Sequence, residues 1–252
     1  MPVRAFAALL LLLAFLSTAC GVFDRGADDD PSPSTRQDFD GDSLPDRQDP
    51  CPADAENLRW TREPDGCPDG LRELVALAAP DINGFWQRTF ATARQPHRPP
   101  NDVIGYDSEI PTSCGPALAN NAFYCPLDDR IYYHNAFMTS QLVNNGDFAV
   151  VFVLAHEWGH LIQQRLGILG DPRVFSVQVE LQADCFAGVY SRDAEARRLL
   201  EQGDLDEAVV SLIQAGDPPG TPLTAPAAHG SSQQRVESFR LGYTNGVEAC
   251  LS

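Results

Sequence analysis

Asp147-Phe148-Ala149-Val150-Val151-Phe152-Val153-Leu154-Ala155-His156-Glu157-Trp158-Gly159-His160-Leu161-Ile162-Gln163-Gln164-Arg165-Leu166, with Gly167 following, is the stretch that decides the fold. Aspartate at the cap and glycine just past the end bound a helix of about 19 residues. Ahead of the histidines the stretch is apolar nearly all round, which predicts a buried central helix. His156 and His160 are four residues apart, so they lie about 40° apart on one face and can share one zinc ion. Glu157, next to the first of them, can reach a water at such a metal as general base. If the histidines served only as core residues, the Glu157 carboxylate would be buried in an apolar helix without a partner, at considerable cost.

A catalytic zinc needs a third protein ligand and an open position. Val179-Glu180-Leu181-Gln182-Ala183-Asp184-Cys185-Phe186-Ala187-Gly188 reads as a second helix with Glu180 and Asp184 on one face. Glu180 can complete a set of two histidines and a glutamate. Asp184 can accept the spare N–H of a ligand histidine and fix its tautomer. The longer H-E-x-x-H-x-x-G-x-x-H pattern is not met, because Gln163 and Leu166 stand at the corresponding positions. The chain is therefore not a metzincin.

His156-Glu157-Trp158-Gly159-His160, the Glu180 to Gly188 segment and His229-Gly230-Ser231-Ser232-Gln233-Gln234-Arg235 together resemble the bacterial putative neutral zinc metallopeptidase family. Phe123-Tyr124-Cys125-Pro126, followed by Asp128 and Ile131-Tyr132, adds to the resemblance, which runs from about Leu71 to Cys250. It implies an α+β, mainly α, zincin-like domain with an active-site helix and a small edge sheet. It further implies a gluzincin-like peptidase acting on a peptide or protein, with zinc on His156, His160 and Glu180 and with Glu157 catalytic. The sequence departs from the family at His134, where aspartate is expected.

Around these motifs, Asp81 to Ala91 reads as a helix with Phe85, Trp86 and Phe90 in the core. Cys114 to Cys125 encloses a loop containing Gly115-Pro116. Tyr124 to Tyr133 reads as a strand pair bent at Leu127-Asp128-Asp129, and by analogy with gluzincins such an edge strand lines the cleft and pairs with substrate backbone. Asp204 is expected to cap a helix through Ala215, with Glu207 at the capping-box position. The Pro-rich run Pro218 to Pro226 leads to His229 and a last helix near Ser231 to Gly246. His229 either donates to a developing oxyanion or anchors substrate, or it only caps that helix. Tyr124, Tyr132 and Tyr133 are alternative donors.

The 252 residues carry a formal charge of −17, from 18 basic and 35 acidic side chains, and every basic residue is arginine. So acidic a chain should not coat nucleic acid or an anionic membrane surface. Residues 1–19 read as a secretory signal: Arg4, then an apolar run to Leu16, then small residues. Ordinary signal-peptidase cleavage and lipidation at Cys20 within Ala19-Cys20-Gly21 compete, and a lipid there would be the chain's one membrane attachment. Seven cysteines are present, and giving Cys20 to a lipid leaves an even six for an exported protein. Spacing suggests Cys51–Cys67 and Cys114–Cys125, with Cys185–Cys250 by elimination.

Residues 20–37 read as a disordered tether. In residues 38–70, Asp38, Asp40, Asp42, Asp46 and Asp49 stand at positions 1, 3, 5, 9 and 12 of an EF-hand-like loop suited to calcium. That segment, with Cys51-Pro52 and the later Cys67-Pro68, resembles a thrombospondin type 3 calcium repeat, although Ser43 replaces the expected turn glycine. It gives an irregular calcium and disulfide module ahead of a zinc metallopeptidase domain at 71–252. Two other readings stay open at this level: a metal-stabilised lipoprotein scaffold without catalysis, and a zinc hydrolase acting on a non-peptide bond. Oligomeric state is not encoded in any of these motifs.

Overall fold

Leu74, Val75, Ala78, Ile82, Phe85, Trp86 and Phe90 recur every three or four residues and form the buried stripe of a first helix, α1 (Leu71–Thr92). The helix begins well before Asp81 and passes through Pro80. Proline forfeits one backbone bond there, but its ring is exposed, and the apolar stripe on either side holds the helix together. This is a computed structural model, and it describes residues 37, 39, 44–53, 70–225 and 228–251. The expected signal, the tether up to residue 36, Cys20, Asp38, Asp40, Asp42 and Cys67 lie outside them.

Among the described residues five short strands follow: β1 (Asp102–Tyr106), β2 (Ile110–Thr112), β3 (Gly115–Ala117), β4 (Ala122–Cys125) and β5 (Arg130–His134). The remaining helices are α2 (Asn135–Asn145), α3 (Asp147–Arg165), α4 (Ser176–Ala196), α5 (Asp204–Gln214) and α6 (Ser232–Asn245), with a 3₁₀ turn at Val247–Cys250. The fold is mainly helical α+β. One sheet has the order β1-β5-β4, with β1 parallel and β4 antiparallel to β5; β2 and β3 form a separate hairpin. Two of the expected disulfides are present, Cys114–Cys125 and Cys185–Cys250. Cys51 is also disulfide-bonded. Disulfides of this kind belong to an oxidising, extracytoplasmic compartment. Among the described residues no helix is long and apolar enough to cross a membrane.

α3 occupies the centre, as its apolar circumference requires, and packs on α1, α2, α4, α5 and β4. Its N-cap is Gly146 at φ 110°, and Asp147 is its first residue rather than its cap. Its C-terminal Arg165 donates to Asp129 Oδ1 at 2.7 Å, tying α3 to the β4–β5 turn. The last helix is capped by Ser231, which exchanges bonds with Gln234, so His229 has no capping role there. His134 caps α2: its Nδ1 accepts the Phe137 N–H at 3.3 Å. The aspartate expected at this position would do the same.

The helices meet at backbone contact. A Cβ on Gly242 of α6 would stand 1.9 Å from Cys185 O of α4, and one on Gly188 would stand 2.1 Å from Phe239 O. At Gly84 in α1 the nearest atom would be the end of the Arg88 side chain, at 3.4 Å. Gly242→Ala is therefore expected to force α6 off α4 and cost about 1–3 kcal/mol. Gly84→Ala should be neutral or stabilising by about 0.5–1 kcal/mol, since alanine is the better helix former. Urea unfolding midpoints of the two variants check this; a Gly242→Ala midpoint at or above the parent's contradicts the contact.

Candidate metal centre

The metal-binding candidates on α3 and α4 come together because Gly159, between the two histidines, lets α4 approach. A Cβ at Gly159 would lie 2.8 Å from Ala183 Cα. Ala183 is flanked on α4 by Glu180, three residues earlier, and Asp184, one later. The close approach thus delivers both carboxylates to the imidazoles.

His156 Nε2 lies 3.3 Å from Glu180 Oε2, and His160 Nε2 lies 3.5 Å from Glu180 Oε1. The three side chains are the group on α3 and α4 that could hold one ion, and His156 is buried. Zinc bonds of about 2.0–2.2 Å in a tetrahedron separate ligand atoms by about 3.3–3.6 Å. The donor set therefore fits that metal. The ring orientations are fixed from behind. His156 Nδ1 is 2.8 Å from Asp184 Oδ1, and His160 Nδ1 is 2.9 Å from Gln163 Oε1. Both contacts leave Nε2 as the nitrogen turned toward Glu180.

Each of these partners is itself anchored. Gln163 donates to Val179 O at 2.7 Å and to Gln182 Oε1 at 3.0 Å, both on α4. Asp184, fully buried, receives a two-pronged bond from Arg235 of α6, with Nε to Oδ2 and Nη2 to Oδ1 both at 2.8 Å. Arg235 also donates to Ala215 O at 3.1 Å. Burial pulls the His156 imidazole down, but Asp184 and Glu180 overcome it and lift the ring well above its ordinary value. Burial likewise works against the Glu180 carboxylate, yet His156 and His160 hold it down to about 2. Both shifts express the mutual attraction of the carboxylates and the imidazoles across the site.

Glu157 is buried on the same helix, and its Oε2 accepts the Tyr124 N–H of β4 at 2.8 Å. The Tyr124 hydroxyl is committed elsewhere: it donates to Asp129 at 2.7 Å, and burial together with Asp129 pushes it up to about 12. Tyr132 donates to Asp128 Oδ2 at 3.0 Å, and Tyr133 is buried in the core. The Tyr124 and Tyr132 hydroxyls are thus committed to carboxylates, and neither Tyr132 nor Tyr133 lines the cleft beside the metal group.

A cleft of about 990 Å³ runs past the group, walled by Asn121, by Ala122 to Tyr124 of the outer strand β4, by Phe137 and Phe152, and by Val174 and Val179. His229 lines it, half-exposed, with Nδ1 3.5 Å from Asp217 Oδ1. Asp217 Oδ2 also accepts the His229 and Gly230 N–H groups, both at 2.8 Å. Of the calcium candidates, Asp46 accepts the Phe39 N–H at 2.9 Å, and Asp49 accepts the Cys51 N–H at 2.7 Å. Asp49 is buried, and among the described residues its Oδ2 has no hydrogen-bond partner.

Sequence reasoning missed Gln163, Asp217 and the function of Arg235. Gln163 sits one turn after His160 and was legible as an i, i+3 neighbour. Arg235 closes the His229 motif but gives no local sign of its partner. Asp217, in a Pro- and Gly-rich turn, gives none either.

No solved structure matches the chain. The chain is 35% identical over 205 residues to the uncharacterized protein YpfJ of Escherichia coli K12, covering 72% of this chain and 70% of that one. It is 30% identical over 200 residues to the uncharacterized protein Rv2575 of Mycobacterium tuberculosis, covering 68% and 67%. The family model described as putative neutral zinc metallopeptidase matches residues 47–251, which span both helices of the metal group and the His229 segment, and the chain belongs to that family.

Proposed function

We propose that the chain is an extracytoplasmic zinc-dependent peptidase. The observation that carries this reading is the pair of Nε2-to-carboxylate distances, 3.3 and 3.5 Å, in an open cleft with Glu157 beside them. A zinc ion held by His156, His160 and Glu180 would supply Lewis acidity toward a water and toward the scissile carbonyl. Glu157 accepts the proton of the attacking water and passes it to the leaving amine. The Tyr124 N–H occupies Oε2 of Glu157 and steadies the carboxylate, leaving Oε1 for that exchange. His229 donates to the carbonyl oxygen as charge develops on it. Asp217 orients His229, holding its backbone through Oδ2 and facing its ring through Oδ1.

The cleft, at about 990 Å³, has room for a peptide segment, and β4 stands at the outside of its sheet where a substrate strand can lie alongside. Export by the N-terminal signal, with Cys20 as lipid anchor, completes the reading. Calcium on the aspartates of residues 38–49 would stiffen the spacer, and the donorless Oδ2 of Asp49 supports that. No partner beyond the peptide substrate is required.

Glu157→Gln is expected to keep one zinc per chain by elemental analysis and to lose about 10²–10⁴-fold in cleavage of a peptide library. A variant that cleaves as well as the parent removes the mechanism. Asp217→Asn keeps acceptors for the two backbone N–H groups. It is expected to lower kcat about 3- to 30-fold with KM and zinc content unchanged, and to add nothing to His229→Ala. Steady-state kinetics on the single and double variants check this; additive losses contradict the pairing.

A further inference from the structure

The start of α3 lies nine residues, about 13 Å along the axis, from His156. It carries a second group of carboxylates that the proposed hydrolysis does not use. Asp147 from α3 and Asp204 and Glu207 from the first turn of α5 each bring one oxygen within 4.8 Å of the others. All three are fixed by backbone N–H groups. Phe148 donates to Asp147 Oδ1 at 2.7 Å and to Glu207 Oε2 at 3.0 Å, and Glu201 donates to Asp204 Oδ2 at 2.8 Å. Glu207 sits where a side chain on Gly146 would stand, 2.1 Å from that Cβ position, so glycine is required for the approach.

Asp147 is only 8% exposed, and its second oxygen, Oδ2, is buried with no hydrogen-bond partner among the described residues. Among the described residues no arginine or histidine pairs with any of the three carboxylates. Two helix N-termini meet here, and their dipoles offset part of the charge, but they give Asp147 Oδ2 no partner. Burial and the mutual repulsion of Asp204 and Glu207 raise Asp147 to about 8. Asp204 and Glu207 are raised too, by burial first. Asp147 thus has a buried oxygen without a donor, and its carboxylate lies with two others inside 4.8 Å, where a cation would offset the mutual repulsion.

We propose that Asp147, Asp204 and Glu207 bind a calcium ion that clamps the first turn of α3 to the first turn of α5. The donors are all oxygen, which suits a hard cation rather than one that prefers imidazole or thiolate. Calcium tolerates irregular geometry and fills its six to eight positions with water or carbonyl oxygens. The site is structural and separate from the zinc ligands. It stands whether or not the chain is a peptidase.

The test uses the zinc-loaded full chain in calcium-free buffer, titrated with calcium chloride by isothermal calorimetry and melted with and without calcium. Asp147→Asn removes the charge and keeps an acceptor for Phe148; Glu207→Gln is the second variant should the first fail to fold. Because residues 38–49 are also proposed to take calcium, the readout is the difference between parent and variant. The expected result is one fewer calcium equivalent in either variant and a calcium-induced rise in Tm smaller by several degrees. Equal calcium stoichiometry in parent and variants overturns the proposal. So does an Asp147→Asn protein that is more stable without calcium and responds to it as the parent does, which would mean that the carboxylates share a proton instead.

Discussion

The structure depends on how closely two helix backbones approach at Gly159 and Ala183. Side chains on facing helices normally hold their axes 8–10 Å apart, and the separation follows from residue size at the contact. With a hydrogen at position 159 and a methyl at 183, α4 comes close enough for Glu180 to meet both imidazoles. Any larger residue at 159 would meet the Ala183 backbone first and so displace the carboxylates. The glycine inside the histidine motif is therefore a packing requirement of the centre it separates.

Bringing charge into that contact is expensive, and the surrounding network compensates for it. Asp184 is fully buried, and a buried carboxylate is tolerable only when paired and fully hydrogen-bonded. Arg235 supplies two bonds and the opposite charge, while His156 supplies a third contact. The guanidinium fork suits this role because it matches both carboxylate oxygens at once. One consequence is that α6, which contributes no metal ligand, fixes the orientation of the His156 ring through a single intervening carboxylate. The disulfide Cys185–Cys250 and the glycine contacts at 188 and 242 hold α6 and the following turn on α4 at that spacing.

What the sequence disclosed follows from which interactions are local. The extent of α3, the strand pair around the 127–129 turn and the close-spaced disulfide at 114–125 depend on neighbours in the chain, and each was legible. The facing pairs His156/His160 and Glu180/Asp184 were also legible, because helical spacing alone sets their faces. The start of α1 was not, because Pro80 is a breaker by local rules and only the stripe from Leu74 to Phe90 overrides it. Glu207 shows the same limit. Its spacing from Asp204 matched a capping box for α5, yet its carboxylate crosses to Phe148 of α3, since the glycine at 146 opens a nearer set of orphan N–H groups. Which helix a carboxylate caps is a tertiary question when two N-termini converge.

That exchange of caps makes α5 a strut between two parts of the molecule. At its N-terminus Asp204 and Glu207 meet the first turn of α3. At its C-terminus Ile213 O accepts the Ser232 hydroxyl, and Ala215 O accepts Arg235. Gly216 lies against Ser232, where a Cβ would be 2.3 Å from the hydroxyl oxygen, and Asp217 follows at once to hold His229. A shift of α5 would therefore be felt by Arg235, and through Asp184 by His156, while His229 would move with Asp217 on the other side of the cleft. The centre has two walls, one on α3 and α4 and one on the 217–229 segment, and α5 is the element whose ends touch both. The energetic state of the carboxylates at its N-terminus therefore bears on the geometry of the centre, although those carboxylates lie well away from it.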